Sequence, residues 1–148
     1  MTKRVAVILS GSGVYDGAEL HESVLCLLAL DRVGAEVTIL APNKDQAHVI
    51  NHQEGAPTDG VSRNVLEESA RIARGPVTAL NQAKASDFDA VLMPGGFGAA
   101  KNLCTWAFDG ASCAVDADVE HFLKAIHHQG SWIGACCIAP VILAKIFG

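Results

Sequence analysis

Four short apolar runs, at positions 5–9, 37–41, 90–93 and 131–135, are spaced along the chain, and each leads into a turn or helix signal. Continuous apolar runs of this length, rich in β-branched residues, are typical of parallel strands buried on both faces. Between them lie segments whose apolar residues recur at helical spacing, beginning at polar caps and ending at glycines. The pattern therefore predicts an α/β domain with an open, mainly parallel sheet and helices on both faces.

One helical segment, 18–33, is apolar around most of its circumference, which predicts burial on more than one side. Glu22 is the exception, and the residues that follow it at helical spacing are uncharged. We therefore expect Glu22 to lie in a partly desolvated place near the loop end of the helix. An exposed helical glutamate is the alternative interpretation.

Composition fits a single domain over residues 1–148 whose sheet is covered on both faces, because half of the residues are hydrophobic and only 18% are charged. The net charge of −5 and the absence of a basic run argue against a nucleic-acid partner, and no apolar run predicts a membrane span. The five cysteines lack a C-x-x-C pair, which favours reduced thiols in the cytoplasm, or in the mitochondrial matrix of a eukaryote. His48 and His52 have no ligand partners at metal-site spacing, so no metal is expected.

The stretch 131–145 predicts a strand that enters a helix through a very tight turn, with Pro140 in the first helical turn. Such a turn exposes one strained residue and needs small residues two positions before and after it. Ala135 and Ala139 satisfy that requirement for Cys137, whereas Cys136 has Ile138 at the second position. The spacing favours Cys137 as a thiolate at a helix N-terminus, and a buried, inert cysteine is the alternative.

Gly95 and Gly96 follow the third apolar run, where bare backbone can approach a ligand, although a plain turn is equally consistent. Ligands of open parallel sheets bind beyond the carboxyl ends of the strands, so these glycines should lie near Glu22 and Cys137. A thiolate could then attack an electrophilic carbon while the amides of Gly95, Gly96 and Ile138 hold the developing oxyanion. Glu22 would move the proton.

At these residues the sequence resembles a known group. Pro94-Gly95-Gly96, the segment 137–140 and Glu22 are similar to the PfpI-type branch of the class I amidotransferase-like superfamily. Segments 10–17, 97–103 and 137–140 resemble the glyoxalase III-like ElbB proteins, once linked to isoprenoid biosynthesis. The resemblance implies a flavodoxin-like fold, Cys137 as nucleophile, Glu22 as its acid/base partner, and a homodimer. It also implies cofactor-free conversion of glyoxal to glycolate through a hemithioacetal on Cys137.

The family's domain continues beyond the segment that matches Cys137, and its third catalytic residue, commonly a histidine, would lie in that part. His21, next to Glu22, is the best local substitute. A chain without that part is expected to be a fragment that is weakly active or dependent on a partner, and to expose an unpaired sheet edge and apolar surface. Two other functions stay open: a glutaminase-type amidotransferase subunit, and a non-enzymatic redox-sensing or holdase module built on an oxidisable Cys137. Protease activity ranks below both.

Overall fold

A computed structural model describes residues 2–148 and contains a five-stranded parallel sheet. Seven strands occur in all: β1 (Arg4–Ile8), β2 (Glu36–Ala41), β3 (Ile50–Asn51), β4 (Ala56–Pro57), β5 (Thr78–Ala79), β6 (Ala90–Met93) and β7 (Trp132–Ala135). The sheet order is β5-β2-β1-β6-β7, while β3 and β4 form a separate antiparallel pair. The strands expected from the four apolar runs are all present, with bounds that differ by at most one residue at either end.

Helices lie on both faces of this sheet, so the prediction of an open, flavodoxin-like α/β fold is confirmed. Within residues 2–148 the six α-helices are α1 (Leu20–Arg32), α2 (Val65–Ala73), α3 (Phe97–Lys101), α4 (Trp106–Asp109), α5 (Ala117–His128) and α6 (Pro140–Phe147). On one face, Ile8 and Val91 belong to a core that also contains side chains of α3, α5 and α6. On the other face, Val7 and Leu9 pack with side chains of α1 and α2.

The burial expected for α1 is wrong. Only Ser23 is fully buried in this helix, and four of its apolar side chains are between 40 and 62% exposed: Leu20, Val24, Leu25 and Leu28. The cause is the layer arrangement, because α1 packs through Leu27 and Leu30 on one face of the sheet, and these four side chains lie on its outer side. Apolar periodicity reports that a surface is hydrophobic, but not what covers it.

Strand β7 is at the edge of the sheet and pairs with β6 alone. Trp132, its first residue, is 82% exposed. None of the helices within residues 2–148 is both long enough and apolar enough to span a bilayer.

Candidate active site

Cys137 occupies the turn between β7 and α6, and its backbone is in the left-handed region with φ of 57°. This conformation is unfavourable for a residue with a Cβ, and it turns the side chain out of the path of the chain. The turn is tied to the sheet, because the Cys136 amide donates to the Met93 carbonyl at 3.1 Å. Pro140 opens α6 immediately afterwards, and the Cys137 side chain is exposed, as the small-residue spacing predicts.

Glu22 lies in the first turn of α1 and points toward this cysteine. Its Oε2 atom accepts a hydrogen bond from the Gly95 amide at 2.9 Å. A Cβ built on Gly95 would lie 2.7 Å from Glu22 Oε2 and 2.9 Å from Cys137 Sγ. The carboxylate and the thiol therefore face each other across the bare backbone of Gly95.

The backbone around Gly96 is packed against the start of α1. Gly96 has φ of 96°, and a Cβ there would come within 2.4 Å of both the Gly17 oxygen and the Glu19 nitrogen. Only glycine fits at this close approach. The amides of Gly96 and Ile138 have no protein acceptor within residues 2–148, whereas the Gly95 amide is taken by Glu22. Of the three amides expected to hold an oxyanion, two are free to do so and the third holds the carboxylate.

These groups open onto a cleft of about 270 Å³, which is close to the lower limit for small-molecule sites. Its walls are largely apolar. The lining residues are Val14, Glu19, Glu22, Gly96, Phe97, Cys137 and Ile138. The cleft has the dimensions for a small organic substrate held against a thiol.

Val14 reaches the cleft from the loop at 10–17, and this loop is anchored through Asp16. The Asp16 side chain is buried, and its Oδ2 accepts from the Ile50 amide at 2.7 Å. Asn102 donates to the carbonyl oxygens of Ser10 and Asp16, both at 2.9 Å. The short β3–β4 pair thus supports the wall of the cleft, a role that its sequence alone did not indicate.

Glu19 is a site residue that sequence reasoning missed. It is the N-cap of α1, and its Oε2 accepts from the Glu22 amide at 2.7 Å while the residue lines the cleft. Its signal was an acidic residue just before the helix, three positions ahead of Glu22, a place where a carboxylate can satisfy free backbone amides. The structure does not bring His21 into the group, because its side chain is 91% exposed and contacts Glu19 at 3.3 Å.

Two further thiols lie near Glu22 and are not among the residues that line the cleft. Cys136 Sγ is 4.0 Å from Glu22 Oε2, and Cys26 follows Glu22 by one helical turn. Burial raises the pKa of the Cys26 thiol to about 11, and the neighbouring Cys136 and Glu22 add to this effect. Within residues 2–148, no three side chains of His, Cys, Asp or Glu are grouped to hold a metal ion.

Comparison with known proteins shows the family to which the chain belongs. A human protein named glutamine amidotransferase-like class 1 domain-containing protein 3, mitochondrial, is 57% identical over 143 residues, covering 97% of this chain and 53% of its own length. A rat protein named ES1 protein homolog, mitochondrial, is also 57% identical over 143 residues, covering 97% of this chain and 54% of its own length. The chain thus spans about half the length of these curated relatives.

A solved structure shows the same fold. The crystal structure of an isoprenoid biosynthesis protein with amidotransferase-like domain from Ehrlichia chaffeensis superposes with a TM-score of 0.91 at 38% identity, covering 97% of this chain and 67% of that one. The narrower resemblance to ElbB stays a prediction. The family model described as the DJ-1/PfpI family matches residues 3–146. This chain therefore belongs to the DJ-1/PfpI family.

Proposed function

We propose that this chain is a glyoxalase III-like enzyme that converts glyoxal to glycolate, with Cys137 as nucleophile and Glu22 as acid and base. One observation carries the proposal: the Cys137 thiol and the Glu22 carboxylate lie within 2.9 Å and 2.7 Å of a single point beside Gly95. A two-carbon substrate bonded to the sulfur would have its second carbon within reach of that carboxylate. The small, largely apolar cleft suits such a substrate.

The first step is addition of the Cys137 thiolate to one aldehyde carbon of glyoxal. A C–S bond forms, the carbonyl π bond breaks, and its oxygen takes from Glu22 the proton that the Cys137 thiol released, which gives the hemithioacetal. Exposure of the sulfur and its position ahead of α6 favour this attack. The negative charge that develops on the oxygen can be met by the unpartnered amides of Gly96 and Ile138.

The second step moves a proton between the two carbons. Glu22 removes the hydrogen on the carbon bonded to sulfur, giving an enediolate, and returns that proton to the neighbouring carbon. The hydroxyl proton of the first carbon passes to the oxygen on the second. The product is a thioester of glycolic acid, so one carbon is oxidised while the other is reduced and no external oxidant is required. Water then cleaves the C–S bond, releasing glycolate and regenerating the Cys137 thiol.

The fixed hydrogen bond from Gly95 supports this role for Glu22. The Gly95 amide on Oε2 holds the carboxylate beside the sulfur, and the lone pairs that this bond leaves free can exchange protons. Glu19 supports it from the other side, because its bond to the Glu22 amide fixes the first turn of α1.

The proposal is tested by measuring glycolate formed from glyoxal by proton NMR. Cys137→Ser is expected to reduce turnover to the uncatalysed background, and Glu22→Gln by about 100-fold or more. Matched controls are Cys113→Ser, a buried thiol remote from the cleft, and Glu67→Gln, an exposed helical carboxylate; both are expected to retain parent activity.

Equal glyoxal turnover by the Cys137→Ser variant and the parent would rule out this mechanism. Release of ammonia from glutamine, with no glycolate from glyoxal, would instead support the amidotransferase alternative. Circular dichroism of each variant separates loss of chemistry from loss of fold.

We also propose a mitochondrial location, in place of the cytoplasmic one expected from cysteine usage. The human and rat relatives carry "mitochondrial" in their names, which is what supports this assignment. Imaging of the fluorescently tagged, full-length native protein tests it, and a diffuse cytoplasmic signal would contradict it.

A further inference from the structure

Cys26 and Cys136 approach each other between α1 and the end of β7. Gly134 faces the α1 side of the sheet, since a Cβ there would meet the Leu92 side chain at 2.9 Å, and Leu92 packs in the core beneath α1. Cys136, two residues later, points to the same side. Cys26 lies one helical turn beyond Glu22, and Cys136 Sγ lies 4.0 Å from Glu22 Oε2, so the two thiols flank the same carboxylate.

We propose that Cys26 and Cys136 form a reversible disulfide, a modification site distinct from the nucleophile Cys137. Both thiols are half-buried, so a small reagent can reach them. A disulfide here would join α1, which carries Glu22, to the turn that carries Cys137. The inference does not depend on the glyoxalase proposal, because it concerns two sulfurs with no part in that reaction.

The oxidant is a low-molecular-weight disulfide, RSSR. The Cys136 thiolate attacks one sulfur of RSSR and displaces RS⁻, leaving a mixed disulfide between Cys136 and R. Cys26 then loses its proton and attacks the Cys136 sulfur, forming the Cys26–Cys136 bond and displacing a second RS⁻. Both released thiolates take up the protons from the protein, so two protein thiols are oxidised and one RSSR is reduced to two RSH.

The chain contains a second thiol pair that serves as a contrast. Cys104 and Cys113 also neighbour each other, but they are only 3% and 2% exposed. The Cys104 thiol donates to the Ala99 carbonyl at 3.4 Å inside the core. A disulfide reagent in solution cannot reach this pair without unfolding, so it reports on non-specific oxidation.

The experiment treats the folded Cys137→Ser chain with oxidised glutathione, since this background removes the exposed thiol. Peptide mapping is expected to find a 26–136 cross-link, with the loss of two free thiols, and dithiothreitol is expected to reverse it. Adding Cys26→Ser is expected to stop the reaction at the mixed disulfide on Cys136, while adding Cys104→Ser should leave the cross-link unchanged. Phenylarsine oxide, whose arsenic bridges two close thiols, is expected to bind at the same pair.

Undiminished intramolecular cross-linking in the Cys26→Ser variant would overturn the proposal. A stable mixed disulfide on Cys136 with Cys26 intact would do the same, because it would show that the second sulfur cannot reach the first. Arsenic binding that survives removal of Cys26 in the folded variant also counts against it. None of these outcomes depends on glyoxal turnover.

Discussion

The carboxylate of Glu22 is held by the backbone of Gly95, with 2.9 Å between Oε2 and the amide nitrogen. These two residues are 73 positions apart in the chain, and the bond joins the first turn of α1 to the loop after β6. A side-chain donor could rotate, whereas a backbone amide between two ordered elements holds its position. The direction of the carboxylate is thus set by the fold of the sheet.

If the proposed reaction is correct, Gly95→Ala is expected to reduce turnover by about 100-fold or more, because a methyl group would fill the space between Glu22 and Cys137. The new Cβ would lie 2.5 Å from Cys137 Cβ and 2.7 Å from Glu22 Oε2, so both side chains must shift. Overpacking of this kind also costs about 1–3 kcal/mol of stability. Glycolate formation and urea unfolding measure the two effects.

The matched control is Gly75→Ala, where the added methyl group meets nothing within 4 Å. It should leave both turnover and stability near those of the parent. A Gly95→Ala protein with parent activity would show that the space between Cys137 and Glu22 is not where substrate reacts.

Cys137→Gly is expected to stabilise the chain by about 0.5–1 kcal/mol while abolishing turnover. Relief of the left-handed strain at φ 57° raises the free energy of unfolding by about 1–2 kcal/mol. The greater flexibility of glycine in the unfolded chain offsets part of this gain. Thermal and denaturant unfolding of the two proteins give the difference. Destabilisation instead would mean that the turn at 137 carries no strain.

Arg74→Gly provides the paired control for strain. Arg74, with φ of 56° at the C-cap of α2, is the other non-glycine residue in the left-handed region among residues 2–148. Its substitution should raise the free energy of unfolding by a similar amount, and turnover should stay unchanged because the residue is not part of the cleft.

The free energy of unfolding should decline between pH 9 and pH 11 less steeply in Cys26→Ser than in the parent. The folded chain raises the pKa of Cys26 from 9.0 to about 11, mainly by burial, so it binds this proton more tightly than the unfolded chain does. The resulting stabilisation is complete below pH 9.0 and is lost as pH rises through about 11.

Burial also raises the pKa of Cys104. This thiol therefore lowers the free energy of unfolding at alkaline pH in both the parent and the Cys26→Ser protein. The difference between their urea-unfolding curves therefore isolates Cys26. Identical slopes from neutral pH upward would contradict the burial of that thiol against Cys136.

Local rules recovered four of the five strands of the sheet and the tight turn at Cys137, because these are determined over a few residues. The small residues Ala135 and Ala139 distinguished Cys137 from Cys136, and the left-handed backbone is found at Cys137. The four apolar runs each predicted a strand, because a short continuous apolar run is typical of a strand that is buried on both faces.

The same local rules could not predict contacts between residues that are far apart in the chain. Nothing near Gly95 in the chain indicates that its amide binds Glu22, and the position of Glu19 before α1 indicates a helix cap but not a place in the cleft lining. The apolar circumference of α1 predicted burial, yet Leu25 is 62% exposed. Each of these depends on what packs against the residue, which spacing along one segment does not encode.

The close packing of backbone atoms around Gly96 also limits how this site can be redesigned. Any side chain there would clash with the Gly17 oxygen and the Glu19 nitrogen, so the start of α1 would have to move away from the loop after β6. Phe97, the next residue, is half exposed at the mouth of the cleft. Redesign of the proposed activity for bulkier aldehydes should therefore randomise position 97 and leave position 96 fixed. A change at 97 alters the lining of the cleft, whereas a change at 96 would displace the helix that carries Glu22.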